Sequence, residues 1–260
     1  MAALREVLAT RYAVPLREGG SLPAIVEADD DGMYVVKFRG AGQGVKALLA
    51  EIVAGEIART VGLRVPELVF VEIDAALGRN YPDEEIRDLL KASTGRNVGM
   101  DYLPGSTMFE VAAGDCATAE VASMAVWLDA FVMNVDRTPR NPNLLCWGGS
   151  LWFIDHGAAL YVQHDWASMM GKAASPFSAI RDHVLLSWAA DVKAAGKTAR
   201  ARLDRGEFER ILALVPDAWL EPEEGAETPE AKRAAYVEFL MRRLEDADRF
   251  EEEATRARLV

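Results

Sequence analysis

A chain of 260 residues, half of them hydrophobic and 27% charged, has the composition of a folded globular protein, with room for one large domain or two lobes. Its net charge of −12 argues against direct nucleic-acid binding, because affinity for a phosphate backbone needs a basic surface. Two cysteines and three dispersed histidines make no zinc pattern, and the charged N-terminus and lack of a long apolar run argue against a signal peptide or a membrane span, leaving the cytoplasm as the expected location.

In chain order, residues 1–18 read as a short helix followed by a strand, and Gly19, Gly20 and Ser21 form a small-residue loop. Pro23 to Ala28 and Met33 to Phe38 are two β-rich runs around Asp29-Asp30-Asp31-Gly32, a hairpin signal. Lys37 lies inside the apolar run VVKF. A lysine there either snorkels to an edge or holds a negative group, because burial otherwise penalises its charge. Gly40-Ala41-Gly42-Gln43-Gly44 then opens an amphipathic helix from Val45 to Val61. Such a loop is either a connector or a phosphate cradle built from backbone N–H groups. Glu51 and Glu56 are the acids of this helix. Glu51, bordering the apolar face, is the expected partner of Lys37, with Glu56 in reserve.

Gly62 ends the helix, and Glu67 to Ile73 reads as a strand. Residues 75–96 read as a loop with one short helix, and Asn97 to Leu103 as another strand before Pro104-Gly105. An apolar helix over 117–133 leads into a polar loop. Further helices are expected near Phe177 to Ala195, Arg205 to Leu214 and Glu230 to Arg256. In the last, Ala235, Val237, Phe239, Leu240 and Leu244 are the expected core residues, whereas His164 and His183 have no evident partner.

The stretch from 127 to 160 organises the rest. Its loop holds Asp136, Arg137, Asn141 and Asn143, and two short apolar strands around Gly148-Gly149-Ser150 deliver Asp155, His156 and Gly157. That hairpin sets Asn141 beside Asp155, a carboxylate and an amide oxygen suited to Mg2+ with water and phosphate oxygens completing the shell. Asp136, five residues before Asn141, is placed to accept a hydroxyl proton.

The loop resembles the protein-kinase catalytic D-x-x-x-x-N followed by D-x-G. In detail, YVVKF at 34–38, EIARTVGLRVPE at 56–67, N-x-D-R-x-x-R-N-P-N at 134–143 and FIDHG at 153–157 are similar to HipA-like kinases. The resemblance implies an α+β, two-lobed protein-kinase-like fold. Residues 1–103 would form a small antiparallel-sheet lobe with one helix, and residues 104–260 a larger helical lobe. It implies ATP and Mg2+ between them: Lys37, fixed by Glu51, on the phosphates, Gly19-Gly20-Ser21 as the phosphate-covering turn, and the backbone of Met100, Asp101 and Tyr102 as the adenine-binding hinge. Asn141 and Asp155 would hold metal and Asp136 would serve the acceptor. That acceptor would be a protein serine or threonine or, alternatively, a small molecule of the aminoglycoside or lipid kinase type; an inactive nucleotide-binding module is the other alternative. A regulatory protein partner is compatible with the family. Three features depart from the pattern: no histidine precedes Arg137 in the kinase order, His156 stands where kinases usually carry Phe, and the chain is shorter than full-length HipA toxins. Arg137 is left with two roles, bridging a phosphate or bracing its loop, and Asn143 is a reserve ligand.

Overall fold

The computed structural model describes residues 3–16, 22–42, 44–79 and 81–259. Gly19, Gly20 and Ser21, expected over the phosphates, lie outside these. The chain begins with strands β1 (Arg5–Pro15), β2 (Ala24–Ala28) and β3 (Met33–Lys37), then helix α1 (Val45–Val61). Strand β4 (Leu68–Ile73), helix α2 (Glu84–Ala92), strand β5 (Gly95–Asp101) and the two-residue strand β6 (Thr107–Met108) follow. Helix α3 (Ala119–Phe131) precedes the hairpin β7 (Leu144–Trp147) and β8 (Ser150–Phe153). The remainder is helical: α4 (Trp166–Met169), α5 (Val192–Arg200), α6 (Arg205–Leu212), α7 (Pro229–Glu245) and α8 (Ala247–Arg258), with short 3-10 turns between.

Strands β1, β2, β3, β5 and β4 close into a barrel in that order, with β1 and β4 running parallel. The expected antiparallel sheet is therefore a barrel with one parallel seam. Closure removes the exposed edges that an open sheet would leave. Inside it Val7, Tyr12, Val26, Tyr34, Val36, Val69 and Val71 pack together. At Gly99 a Cβ would stand 2.5 Å from Val71 Cγ2, so only a hydrogen fits there.

Three corrections follow from how the chain bonds. Residues 5–15 are strand, not helix. Register shifts between Ala9 and Arg11 and between Tyr12 and Val14 break the period of two, and the resulting apolar spacing imitates a helix. Residues 178–188 carry only 3-10 turns (Ser178–Asp182 and Leu186–Trp188) rather than one long helix. Their backbone is spent elsewhere: the Val184 N–H donates to Arg137 O at 3.0 Å and the Leu185 N–H to His183 Nδ1 at 3.0 Å. The last long helix is also two, broken at Asp246. Of its expected core residues Val237, Phe239 and Leu240 are buried, while Ala235 and Leu244 are half-buried.

Helix α1 is less amphipathic than its sequence implies. Leu48 to Ala58 are all buried, Glu51 and Glu56 included, because the helix lies between the barrel and the helices α3 and α6. The outer barrel face, with Leu68, Phe70, Val98 and Met100, joins this larger core. Lys37 pairs across β3 and β5 with Val98, so its side chain leaves the barrel on the same outer face.

Candidate active site

Three pieces of backbone deliver the site: the end of β3, the middle of α1, and the two loops flanking the β7–β8 hairpin. Lys37 is 8% exposed and its ammonium donates to Glu51 Oε2 at 2.6 Å and to Asp155 Oδ1. Glu56 plays no part here; it pairs with Arg59 at 3.2 Å and lies 4.0 Å from Arg210. Burial works against charge on Lys37, but Asp155 and Glu51 outweigh it and hold the amine above its usual range. Burial pushes the Glu51 carboxyl up, opposed by Lys37 and assisted by the Asp155 charge. Asp155 resists the same desolvation through Lys37 and is held below the usual carboxylate range. Glu51 Oε1 is buried without a hydrogen-bond partner among the described residues.

The hairpin sets the remaining geometry. Leu144 to Trp147 pair with Ser150 to Phe153, and the Ile154 N–H donates to Asn143 O at 3.1 Å, so the two flanking loops leave from one end. Asn143 and Asp155 both adopt the left-handed region, with φ of 50° and 54°. Asn and Asp tolerate it best among non-glycine residues, at a cost of about 1 kcal/mol each. The turn at Asp155 returns the chain so that Gly157 lies against the Lys37–Glu51 pair. A Cβ on Gly157 would sit 3.6 Å from both Lys37 Nζ and Glu51 Oε2.

Asp136 and Asn141 meet directly: Asn141 Nδ2 donates to Asp136 Oδ2 at 2.8 Å. Since a carboxylate only accepts, this bond fixes the Asn141 amide and leaves its oxygen for another ligand. Asn143 donates to the backbone O of Asp136 at 3.4 Å, which makes it a brace for the loop. Burial, then the neighbouring Asp155 charge, raises the Asp136 carboxyl above the ordinary range, which suits a proton acceptor. Together Asn141 and Asp155 offer one amide oxygen and one carboxylate, and no cluster of three or more His, Cys, Asp or Glu that would hold a metal occurs among the described residues. Such a set fits a hard cation that brings phosphate oxygens with it.

Arg137 braces its loop. It is 1% exposed, its Nε donates to Asp129 Oδ2 at 2.6 Å, and its terminal nitrogens reach Asn143 O, Ile154 O at 3.3 Å and His156 Nδ1 at 3.3 Å. The guanidinium also stacks over Phe153, 5.3 Å from the ring centre. It faces no open surface where a phosphate would bind. His156, fully buried, accepts from Arg137 and so carries its proton on Nε2, which has no partner among the described residues. Burial, and then the Arg137 charge, pull its pKa down to about 3. It packs beneath α1, where a Cβ at Gly55 would lie 3.7 Å from the ring.

The expected hinge residues are placed differently. The Asp101 N–H donates to Glu67 O at 2.9 Å and the Tyr102 N–H to Met33 O at 3.0 Å. Those two donors are used inside the barrel and are not available to an adenine. Met100 pairs with both Val35 and Leu68 across the sheet, and its buried side chain shares the outer face with Lys37. Its side chain is part of the larger apolar core. The Gly40–Gly44 loop meets α1 at Gly44, which offers no side-chain cap; the Gly44 N–H turns back to Ala41 O at 3.0 Å.

Asp129 was missed in the sequence reading. It lies in the last turn of α3, fully buried, and accepts from Arg137, from His183 Nε2 at 2.9 Å and from Asn134 Nδ2 at 3.1 Å. Burial opposes its charge, yet Arg137 and His183 hold it well below the carboxylate range. An acid inside the apolar run AVWLDAFVM was the available signal.

Comparison with known proteins bears on the fold and the family. No curated protein sequence matches the chain. Among solved structures, the Helicobacter pylori proinflammatory kinase CtkA is similar over 98% of this chain and 97% of that one, at 13% identity and a TM-score of 0.60. The Golgi casein kinase is similar over 97% of this chain and 74% of that one, at 11% identity and a TM-score of 0.51. Both likenesses are of fold, which is mixed α and β and kinase-like. The family model described as HipA-like kinase matches residues 11–253, and with nearly the whole chain inside that match the protein belongs to the HipA-like kinase family.

Proposed function

We propose that this phosphotransferase uses ATP with Mg2+ and passes the γ-phosphoryl group to a hydroxyl, that of a protein serine or threonine. The observation that carries the reading is the convergence of Lys37, Glu51 and Asp155 in one ion-paired cluster, whose Asp155 charge is felt by an Asp136 already bonded to Asn141. In this reading the barrel with α1 is a nucleotide lobe, the residues after about 103 form the helical lobe, and the cleft lies between them. Lys37 neutralises the phosphates and Glu51 keeps it pointed there. Asn141 and Asp155 would hold the metal, which supplies charge neutralisation at the transferring phosphoryl group when bound. Asp136 orients the acceptor hydroxyl and takes its proton. Chemistry of this kind rests on positioning and electrostatics, which a rigid, buried frame provides. The family relationship supports transfer from a nucleotide; the protein acceptor, a regulatory partner and a cytoplasmic setting are our extension.

Incubation with radiolabelled ATP, Mg2+ and a cell lysate tests the proposal. Label in serine or threonine of proteins supports it, and label only in small metabolites moves the acceptor to the alternative class. Wild-type turnover in both Asp136→Ala and Asp155→Ala overturns the site assignment.

A further inference from the structure

The segment His183–Leu185 lies about fifty residues beyond the catalytic loop, yet it holds that loop at both ends of one residue. The Val184 N–H donates to the backbone O of Arg137 at 3.0 Å. His183 reaches the Arg137 side chain through Asp129. Because the Leu185 N–H occupies His183 Nδ1 at 3.0 Å, the ring proton sits on Nε2 and donates at 2.9 Å to Asp129 Oδ2, the oxygen that also accepts Arg137 Nε. The second Asp129 oxygen accepts from Asn134, whose own Oδ1 accepts the Asp136 N–H at 3.1 Å. One buried carboxylate thus fixes the backbone of Asp136 by one arm. By the other it fixes Asn143, Ile154 and His156 through Arg137, on the two sides of the hairpin that ends at Asp155.

We propose that His183 and Asp129 are positioning residues for phosphoryl transfer: they set the distance between Asp136 and Asp155 without touching nucleotide or acceptor. The inference rests on the function proposed above. The geometry requires a donor at His183 Nε2, not a charge. Without it Asp129 keeps only Arg137 on Oδ2 and Asn134 on Oδ1, and a carboxylate held by three donors is held by two. The His183 segment is then held to the loop by the Val184 bond alone. A displacement of a fraction of an ångström at Asp136 is costly, because in-line transfer tolerates little misplacement.

The test compares His183→Gln, whose amide nitrogen reproduces the Nε2 donor, with His183→Leu, which does not. Kinetics, thermal stability and the solvent exchange of the Arg137 Nε–H by NMR are followed in each. His183→Gln is expected to keep kcat within about three-fold and the Nε–H protected. His183→Leu is expected to lose that protection and lower kcat by about 10- to 100-fold, with the KM for ATP unchanged. Val184→Pro removes the donor to Arg137 O while keeping an apolar side chain at this buried position, is compatible with the extended backbone of His183 (ψ 129°), and serves if His183→Leu does not fold; it is expected to lower kcat in the same direction. A folded His183→Leu with kcat and Nε–H protection like wild type overturns the proposal, as does an equal loss of kcat in His183→Gln. If the wild-type chain transfers no phosphoryl group, the functional reading fails, and the exchange measurement still decides the bonding role of His183.

Discussion

Lys37 and Glu51 form a buried ion pair at the centre of the site, with side chains 10% and 1% exposed. Replacing Lys37 by Met keeps the length of the side chain and removes the charge. Glu51 is then left with Oε1 already unpartnered and Oε2 newly so, inside a core of Leu48, Ile52 and Val53. Breaking a buried pair in this way costs about 3–5 kcal/mol, roughly 6–20 °C of melting temperature at this chain length. Removing both members of the pair in Lys37→Met with Glu51→Leu replaces it by apolar atoms and is expected to recover the Glu51 part of that loss, while Asp155, half-exposed, turns to water. Urea unfolding of the four proteins at pH 7 gives the coupling, expected at about 2 kcal/mol or more. A pH series adds a sign check. With its partner gone, Glu51 in the folded state binds a proton that the unfolded chain does not, so Lys37→Met gains stability as pH falls from 7 towards 5. Phosphotransfer separates the two roles of the lysine: the double variant regains its fold and stays inactive. A single variant within 1 kcal/mol of wild type, or a coupling below about 0.5 kcal/mol, refutes the reasoning.

Four further outcomes follow from the same geometry. Asp136→Asn keeps the bond to Asn141 and removes the base, so kcat is expected to fall by about 10²- to 10⁴-fold with nucleotide affinity retained; a matching loss of nucleotide affinity in a titration would show that Asp136 belongs to the binding site instead. Since burial and Asp155 raise the Asp136 carboxyl, wild-type kcat declines as pH falls through a value above the ordinary carboxylate range, and Asp155→Asn, measured at its residual rate, moves that decline lower. In calorimetry Mg2+ alone binds weakly to a site with one carboxylate and one amide, whereas adding ADP strengthens it at least ten-fold, and equal affinity with and without nucleotide counts against Asn141 and Asp155 as its ligands. His156, depressed to about 3 against 6.5 when unfolded, stabilises the fold fully above pH 6.5. That stability drains by up to about 1.4 kcal/mol per pH unit as pH falls towards 3. His156→Phe is expected to flatten the stability profile in that window, and an unchanged slope would show that the ring is not buried neutral.

The fold was legible where local patterning and tertiary need agreed. Strand β3, helix α1, strand β4 and the β7–β8 hairpin each carry a clear period and a turn or stop, and Gly62 ends α1 with φ of 97° as the sequence suggests. Legibility failed where backbone groups bond outside their own element. The bulged β1 lost its alternation, and within residues 178–188 Val184 gave its N–H to Arg137 O and Leu185 its N–H to the His183 ring. Closure of the sheet through a parallel β1–β4 pair is written in no local pattern, because it depends on two segments about sixty residues apart.

The site divides along the same line. Lys37 stood out because a cation in VVKF needs an anion; the expected partner was Glu51, and the fold adds Asp155. Applied to AVWLDAFVM, it demands a cation or several donors for Asp129, and Arg137 lies eight residues on. The demand was hidden by the helix itself, where an acid every few residues is ordinary solvated surface. Asp136, Asn141 and Asp155 follow a spacing that the proposed chemistry would dictate, so a motif points to them. Asp129, Asn134, Arg137 and His183 hold those residues still by pairing with one another, and any set of donors and acceptors that closes the same bonds would do. A frame of that kind has no required spacing, which is why His183 showed no partner until the fold brought it to Asp129.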